Sequence, residues 1–172
     1  MDNFIAFAFW REGRIIEQWV EFYNDVKKLF DTMGYRLSHI GIVSTSYTKG
    51  KVMTVERKEK EILSKLTEGE IPKDFGCYSL PPNYKIAAFD YNIFVSRSED
   101  VICVTIREKD YNEKTEVLIE KFASQYIAYE KGEIFSTATT EVPDLYAYTM
   151  KKENLETFRH VKNIINSNGH ID

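Results

Sequence analysis

Residues 4–10 read Phe-Ile-Ala-Phe-Ala-Phe-Trp, apolar or aromatic at both alternating parities. A strand with one wet face alternates apolar with polar residues, whereas a strand covered on both faces does not, so this run predicts a central strand of a covered sheet. Its seven residues fall far short of the roughly twenty that a membrane helix needs. Ahead of it, Met1-Asp2-Asn3 carries an acid where a secretory leader carries Lys or Arg, and a cytoplasmic protein is expected.

Outward from this strand the pattern changes period. From about Gly13 to Met33 the apolar residues Ile15, Ile16, Trp19, Val20, Tyr23, Val26, Leu29, Phe30 and Met33 recur every three or four positions, with Gly34 where a left-handed C-terminal cap belongs. This predicts a helix. The β-branched stretch 36–46 predicts a second strand, left through the turn Tyr47-Thr48-Lys49-Gly50. A charged helix follows over Met53–Thr67, with Val55, Ile62, Leu63 and Leu66 on its narrow apolar face. Gly69, Pro72, Gly76, Pro81 and Pro82 then punctuate a long irregular connection over 69–83.

Residues 84–96 and 100–107 read as a hairpin, with Ile102, Val104 and Ile106 on one face and Val101, Cys103 and Thr105 on the other. The bare edge of this hairpin would allow a homodimer. Asp110 or Asn112 can cap a helix that runs through Val117, Leu118, Phe122 and Tyr126 and ends before Gly132. Two further strands are expected at 133–140 and 144–150, then a final helix with Leu155, Phe158, Val161 and Ile165 as its face. Interleaved strands and helices with hairpins predict a single α+β domain over 1–172, its sheet mixed and mostly antiparallel, in a ferredoxin-like arrangement with additions.

Composition bounds the function. Of 172 residues 43% are hydrophobic and 29% charged, as in a folded globular chain. Lys and Arg number 23 against 27 Asp and Glu, a net charge of −4 that disfavours nucleic acid and anionic membrane surfaces as partners. The eight glycines are scattered, and neither a GxGxxG nor a GxxxxGK[ST] loop occurs. His39, His160 and His170 stand in no ligand spacing, so neither metal nor cofactor is expected. There is no GxSxG elbow. Cys77 and Cys103 form no CxxC and are expected as buried thiols. Asp90 interrupts an apolar run and reads as an outward position of a strand, beside Asn92.

With no catalytic signature, the expectation is a non-catalytic protein-binding module. Size and acidity are in style those of bacterial immunity proteins, which neutralise toxin domains by occluding them; no motif carries that likeness. Aromatic and acidic residues on exposed loops would make the contact, aromatics as anchors and acids as steering charges. Two groups fit: Glu68, Glu70, Asp74 and Tyr78 in the long connection, and Glu141, Asp144, Tyr146 and Tyr148 near the C-terminal hairpin. The alternative is a small-molecule-binding or enzymatic domain with a pocket between helix 14–33 and the sheet, lined by Trp10, Trp19, Tyr23 and His39.

Overall fold

The aromatic run becomes β1 (Asn3–Trp10), hydrogen-bonded on both sides within one sheet. The computed structural model describes residues 3–11, 17–129, 131–149 and 158–164, with backbone alone at 148 and 149. Along the chain follow α1 (Trp19–Thr32), β2 (His39–Val43), β3 (Val52–Thr54), α2 (Val55–Thr67), β4 (Asp74–Ser79), α3 (Ala87–Asp90), β5 (Ile93–Arg97) and β6 (Val101–Arg107). Then come α4 (Glu113–Ser124), β7 (Lys131–Ala138), α5 (Pro143–Thr149) and β8 (Arg159–Ile164). The eight strands form one sheet in the order β3-β2-β4-β5-β6-β1-β7-β8, every neighbouring pair antiparallel. Over the described residues this is an α+β fold with an eight-stranded antiparallel sheet and five helices. A ferredoxin-like arrangement is not established by this strand order.

Both faces of the sheet are covered, as residues 4–10 require. On one face Ile5, Phe7 and Phe9 of β1 join Ile102, Val104 and Ile106 of β6 in the larger core, roofed by α1, α2 and α4 through Phe22, Phe30, Ile62, Ile119 and Phe122. Each such side chain, fully buried, stabilises the fold by about 1.5–3 kcal/mol. The opposite parity of β1 supplies Ala6, Ala8 and Trp10, whose small residues leave room for α5 to lie close, with Tyr146 and Ala147 against the strand. Phe4, Leu80, Tyr91 and Phe94 close the same face beneath the segment that carries α3.

Several expectations are met. The hairpin faces of β6 fall as read, Gly34 follows the end of α1 with φ +81°, and Asn112 caps α4 by accepting from Thr115 N at 3.1 Å. Both cysteines are buried free thiols. No helix among the described residues is long and apolar enough to cross a membrane.

Other expectations are corrected. The helix expected from Gly13 begins only at Trp19; residues 12–16 lie outside the described residues. The connection 69–83 contains β4, a strand paired on both sides. Its Gly76, read as a breaker, is a packing requirement: a Cβ there would lie 3.0 Å from the Phe94 ring and 3.3 Å from that of Tyr78. The strand expected at 84–96 shortens to β5, and Asp90 sits in α3, its carboxylate accepting from the backbone N–H groups of Lys85 and Ile86 at 2.7 Å each.

Over the described part of 144–150 the chain forms the helix α5 and not a strand, because Pro143 at the first helical position has no N–H to lose and its fixed φ suits a helix; residue 150 lies outside the described residues. The final helix is replaced, over the described residues, by the edge strand β8 against β7; Leu155 and Ile165 lie outside the described residues. The hairpin β5–β6 is interior to the sheet, so it offers no bare edge for a homodimer.

Candidate partner-binding face

The face of the sheet that carries α5 gathers residues distant in sequence. Its polar anchor is Glu133 on β7, only 5% exposed. Tyr146 Oη donates to its Oε2 at 2.7 Å and His160 Nδ1 stands 2.8 Å from its Oε1, so one carboxylate ties α5 and β8 to the sheet. Trp10 adds a hydrogen bond from its indole Nε1 to the carbonyl of Ala147. Around Tyr146 the rings of Phe135 and Phe158 pack at 4.7 and 4.6 Å between centroids.

Toward β4 the packing on this face turns aromatic. Tyr78 stacks on Phe94 at 4.3 Å and Tyr91 on Phe4 at 4.4 Å, with the Arg107 guanidinium 4.8 Å from the Phe4 centroid. Within electrostatic range of Tyr78 stand two carboxylates, Asp74 at the start of β4 and Asp144 in the first turn of α5. Burial pushes the Asp144 carboxyl up to about 6, and the like charge of Asp74 pushes the same way against the opposing effect of a backbone N–H. Its Oδ1 is buried and has no hydrogen-bond partner among the described residues. Burial, then Asp144 and Asp74, likewise raise the Tyr78 phenol. Ionised, the pair makes a concentrated negative site beside aromatic rings.

The eight residues singled out from the sequence fare differently. Asp74, Tyr78 and Asp144 come within electrostatic range of one another, although they were read as two separate groups. Glu68 is exposed after α2 and accepts from Ser64 Oγ at 3.0 Å. Glu70 is engaged internally: it accepts from Ser44 Oγ, from Ser46 N at 2.8 Å and from Ser46 Oγ at 2.7 Å, which holds its carboxyl below the usual range. Glu141 accepts from Thr137 Oγ1. Tyr146 is buried against Glu133. Tyr148 falls in α5, its side chain outside the described residues.

The four residues of the alternative pocket do not share one site. Trp19 and Tyr23 belong to the core under α1, whereas Trp10 packs beneath α5 on the opposite face and His39 meets the Tyr84 ring at 5.2 Å. Rings of Trp19, Phe22, Tyr23 and Phe75 fill the space between α1 and the sheet. A cleft of about 240 Å³ lies at the N-terminal end of α1, lined by Glu17, Trp19, Ile71, Pro72, Lys73, Ser98 and Glu99. Behind it is a residue that sequence reasoning missed, Arg97, 0% exposed, its guanidinium 4.0 Å from the Trp19 centroid and 4.9 Å from that of Phe22. Burial lowers its pKa to about 10. The signal in the sequence was a lone cation closing the run Ile-Phe-Val-Ser-Arg at 93–97, where a strand end on the surface was the simpler reading.

No family model matches the chain, and no curated protein matches it. Among solved structures, the chain is similar to one in the crystal structure of the toxic C-terminal tip of CdiA from Pseudomonas aeruginosa in complex with an immune protein. The identity is 12% and the TM-score 0.41, over 80% of this chain and 87% of that one.

Proposed function

We propose that this chain is a non-catalytic protein-binding module of the immunity type, which neutralises a basic toxin domain by occluding it. The observation that carries the reading is the pair Asp74 and Asp144, set together beside Tyr78 on a face otherwise closed by aromatic packing. Within the chain, burial and like charge both disfavour ionised Asp144. A Lys or Arg from another molecule reverses both effects, since an opposite charge within about 4–6 Å favours the ionised carboxylate. Charge pairs of this kind steer association and fix register, while the half-buried Tyr78 ring beside them offers apolar contact.

The test uses the chain as bait in its native lysate at low and moderate salt, beside the double variant Asp74→Lys/Asp144→Lys. The expected result is a stoichiometric basic protein that the wild type retains at low salt and the variant loses. Expressed alone, that protein should arrest growth, and co-expression of the wild-type chain should restore it. Retention by both proteins alike, or a captured protein without toxicity, would overturn the reading.

A further inference from the structure

We propose that the groove between α1 and α4 is a second protein-binding surface, which takes an acidic segment of another protein through its apolar side chains. Two clefts of about 200 and 290 Å³ share Thr32 and Leu118, and so form one continuous groove. The helices flank it antiparallel: Asp25 of α1 stands with Gln125 at one end, and Thr32 with Lys114 and Thr115 at the other. Buried Leu29 and Phe122, with the part-exposed Leu118 and Met33, supply its apolar surface.

Charge chooses the occupant. Lys28, Lys109, Lys114 and Lys121 line the groove against two carboxylates, Asp25 and Asp110. Both carboxylates are engaged within the chain: Asp25 accepts from Tyr126 Oη and from Lys28 Nζ at 3.1 Å, and Asp110 accepts from Tyr35 Oη. Lys109, Lys114 and Lys121 are exposed, and among the described residues none of the three stands in an ion pair. Lys114 and Lys121 are about two turns apart, on one side of α4. Glu113, Glu116 and Glu120 of the same helix line neither cleft, and Glu116 is taken by Lys162. The groove therefore presents apolar contact edged by three cations free to pair, in a chain whose net charge is −4. Acidic side chains complement that edge. A nucleic acid would meet the same lysines, but its phosphates gain nothing from Leu29, Leu118 and Phe122, and the net charge repels it.

α1 and α4 roof the larger core, on the face of the sheet opposite α5. The groove is thus separate from Asp74 and Asp144, and its acidic occupant does not rest on the toxin-occluding reading.

The experiment titrates the 15N-labelled full chain at low salt with a peptide of repeating Glu-Leu-Leu-Glu, 12 residues long like α4. Peptides of the same length made of Glu alone and of repeating Lys-Leu-Leu-Lys, and an oligothymidylate, are titrated beside it. The Glu-Leu peptide should produce saturable shifts at the backbone amides of Thr32, Leu118 and Lys121. The all-Glu peptide and the oligothymidylate, which bury no apolar side chain, should bind at least about tenfold more weakly. Lys109→Glu/Lys114→Glu/Lys121→Glu, changed only at exposed positions, should reverse the preference and take the Lys-Leu peptide at the same amides. Lys114→Gln/Lys121→Gln, which introduces no charge, should weaken the Glu-Leu peptide at least about threefold and keeps the test open if the triple variant does not fold. Absence of saturable shifts, equal binding of the two Leu-containing peptides, or an affinity untouched by either set of substitutions overturns the proposal. Equal or tighter binding of the oligothymidylate also overturns it, and assigns the groove to nucleic acid.

Discussion

Tyr146 donates its phenolic proton to Glu133 Oε2 across 2.7 Å, joining α5 to β7 at a point closed to solvent. Tyr146→Phe keeps the ring against Phe135 and removes only this donor, leaving a buried carboxylate with less compensation. The expected cost is about 1–3 kcal/mol, read from urea unfolding. A variant as stable as the wild type would show that the hydroxyl contributes nothing to holding α5.

Asp144 gives the fold a pH dependence of definite sign. Its folded value of about 6 lies above the ordinary 3.8, so the folded chain binds this proton more tightly than the unfolded one. Its contribution to stability is present in acid and is lost as pH rises through about 6. Asp144→Asn should therefore stabilise the protein at about pH 8, by on the order of 1–2 kcal/mol after allowance for solvent screening, and show little gain near pH 4. Equal effects of the substitution at both pH values would refute this assignment.

Two glycines should respond differently to alanine. At Gly76 the new methyl would lie 3.0 Å from the Phe94 ring and disturb its stack with Tyr78, so a loss of about 1–3 kcal/mol is expected. At Gly34 nothing lies within 4 Å and only the backbone at φ +81° objects, for a loss of about 1 kcal/mol. Near-ultraviolet circular dichroism separates them further: Gly76→Ala should alter the aromatic signal and Gly34→Ala should not.

For Arg97, shape outweighs charge. Its planar guanidinium stacks on Trp19, and a lysine ammonium is more strongly hydrated and cannot stack in that way. Arg97→Lys keeps the charge and loses the stack, and should cost about 2 kcal/mol or more. Chemical denaturation checks this; a lysine variant as stable as the wild type would mean that the charge alone suffices.

The central strand, the α1 stripe and the alternating faces of β6 were legible because each rests on a local period that burial enforces. What escaped was decided by distant partners. Gly76 weakens β4 when read locally, and only the Phe94 ring above it shows why nothing larger fits. Val161 fits a helical stripe as well as the short edge strand that contains it, and pairing with β7 decides. The start of α5 was written in Pro143, which was read as a hairpin turn. Asp74 and Asp144 were both picked out as acids near aromatics, but their meeting depends on α5 being a helix laid across the sheet, which the strand reading concealed.

The place of β1 in the sheet also shapes how this chain is made. Phe4 lies opposite Arg107 and Thr137, so β1, once synthesised, waits for roughly a hundred residues of further synthesis before either neighbour exists. Pairings so far apart in sequence slow folding, and an aromatic, uncharged strand left uncovered in the meantime is a site for association with other chains. The segment that organises the finished sheet is thus the one most dependent on early shelter, by a chaperone or by transient collapse onto α1.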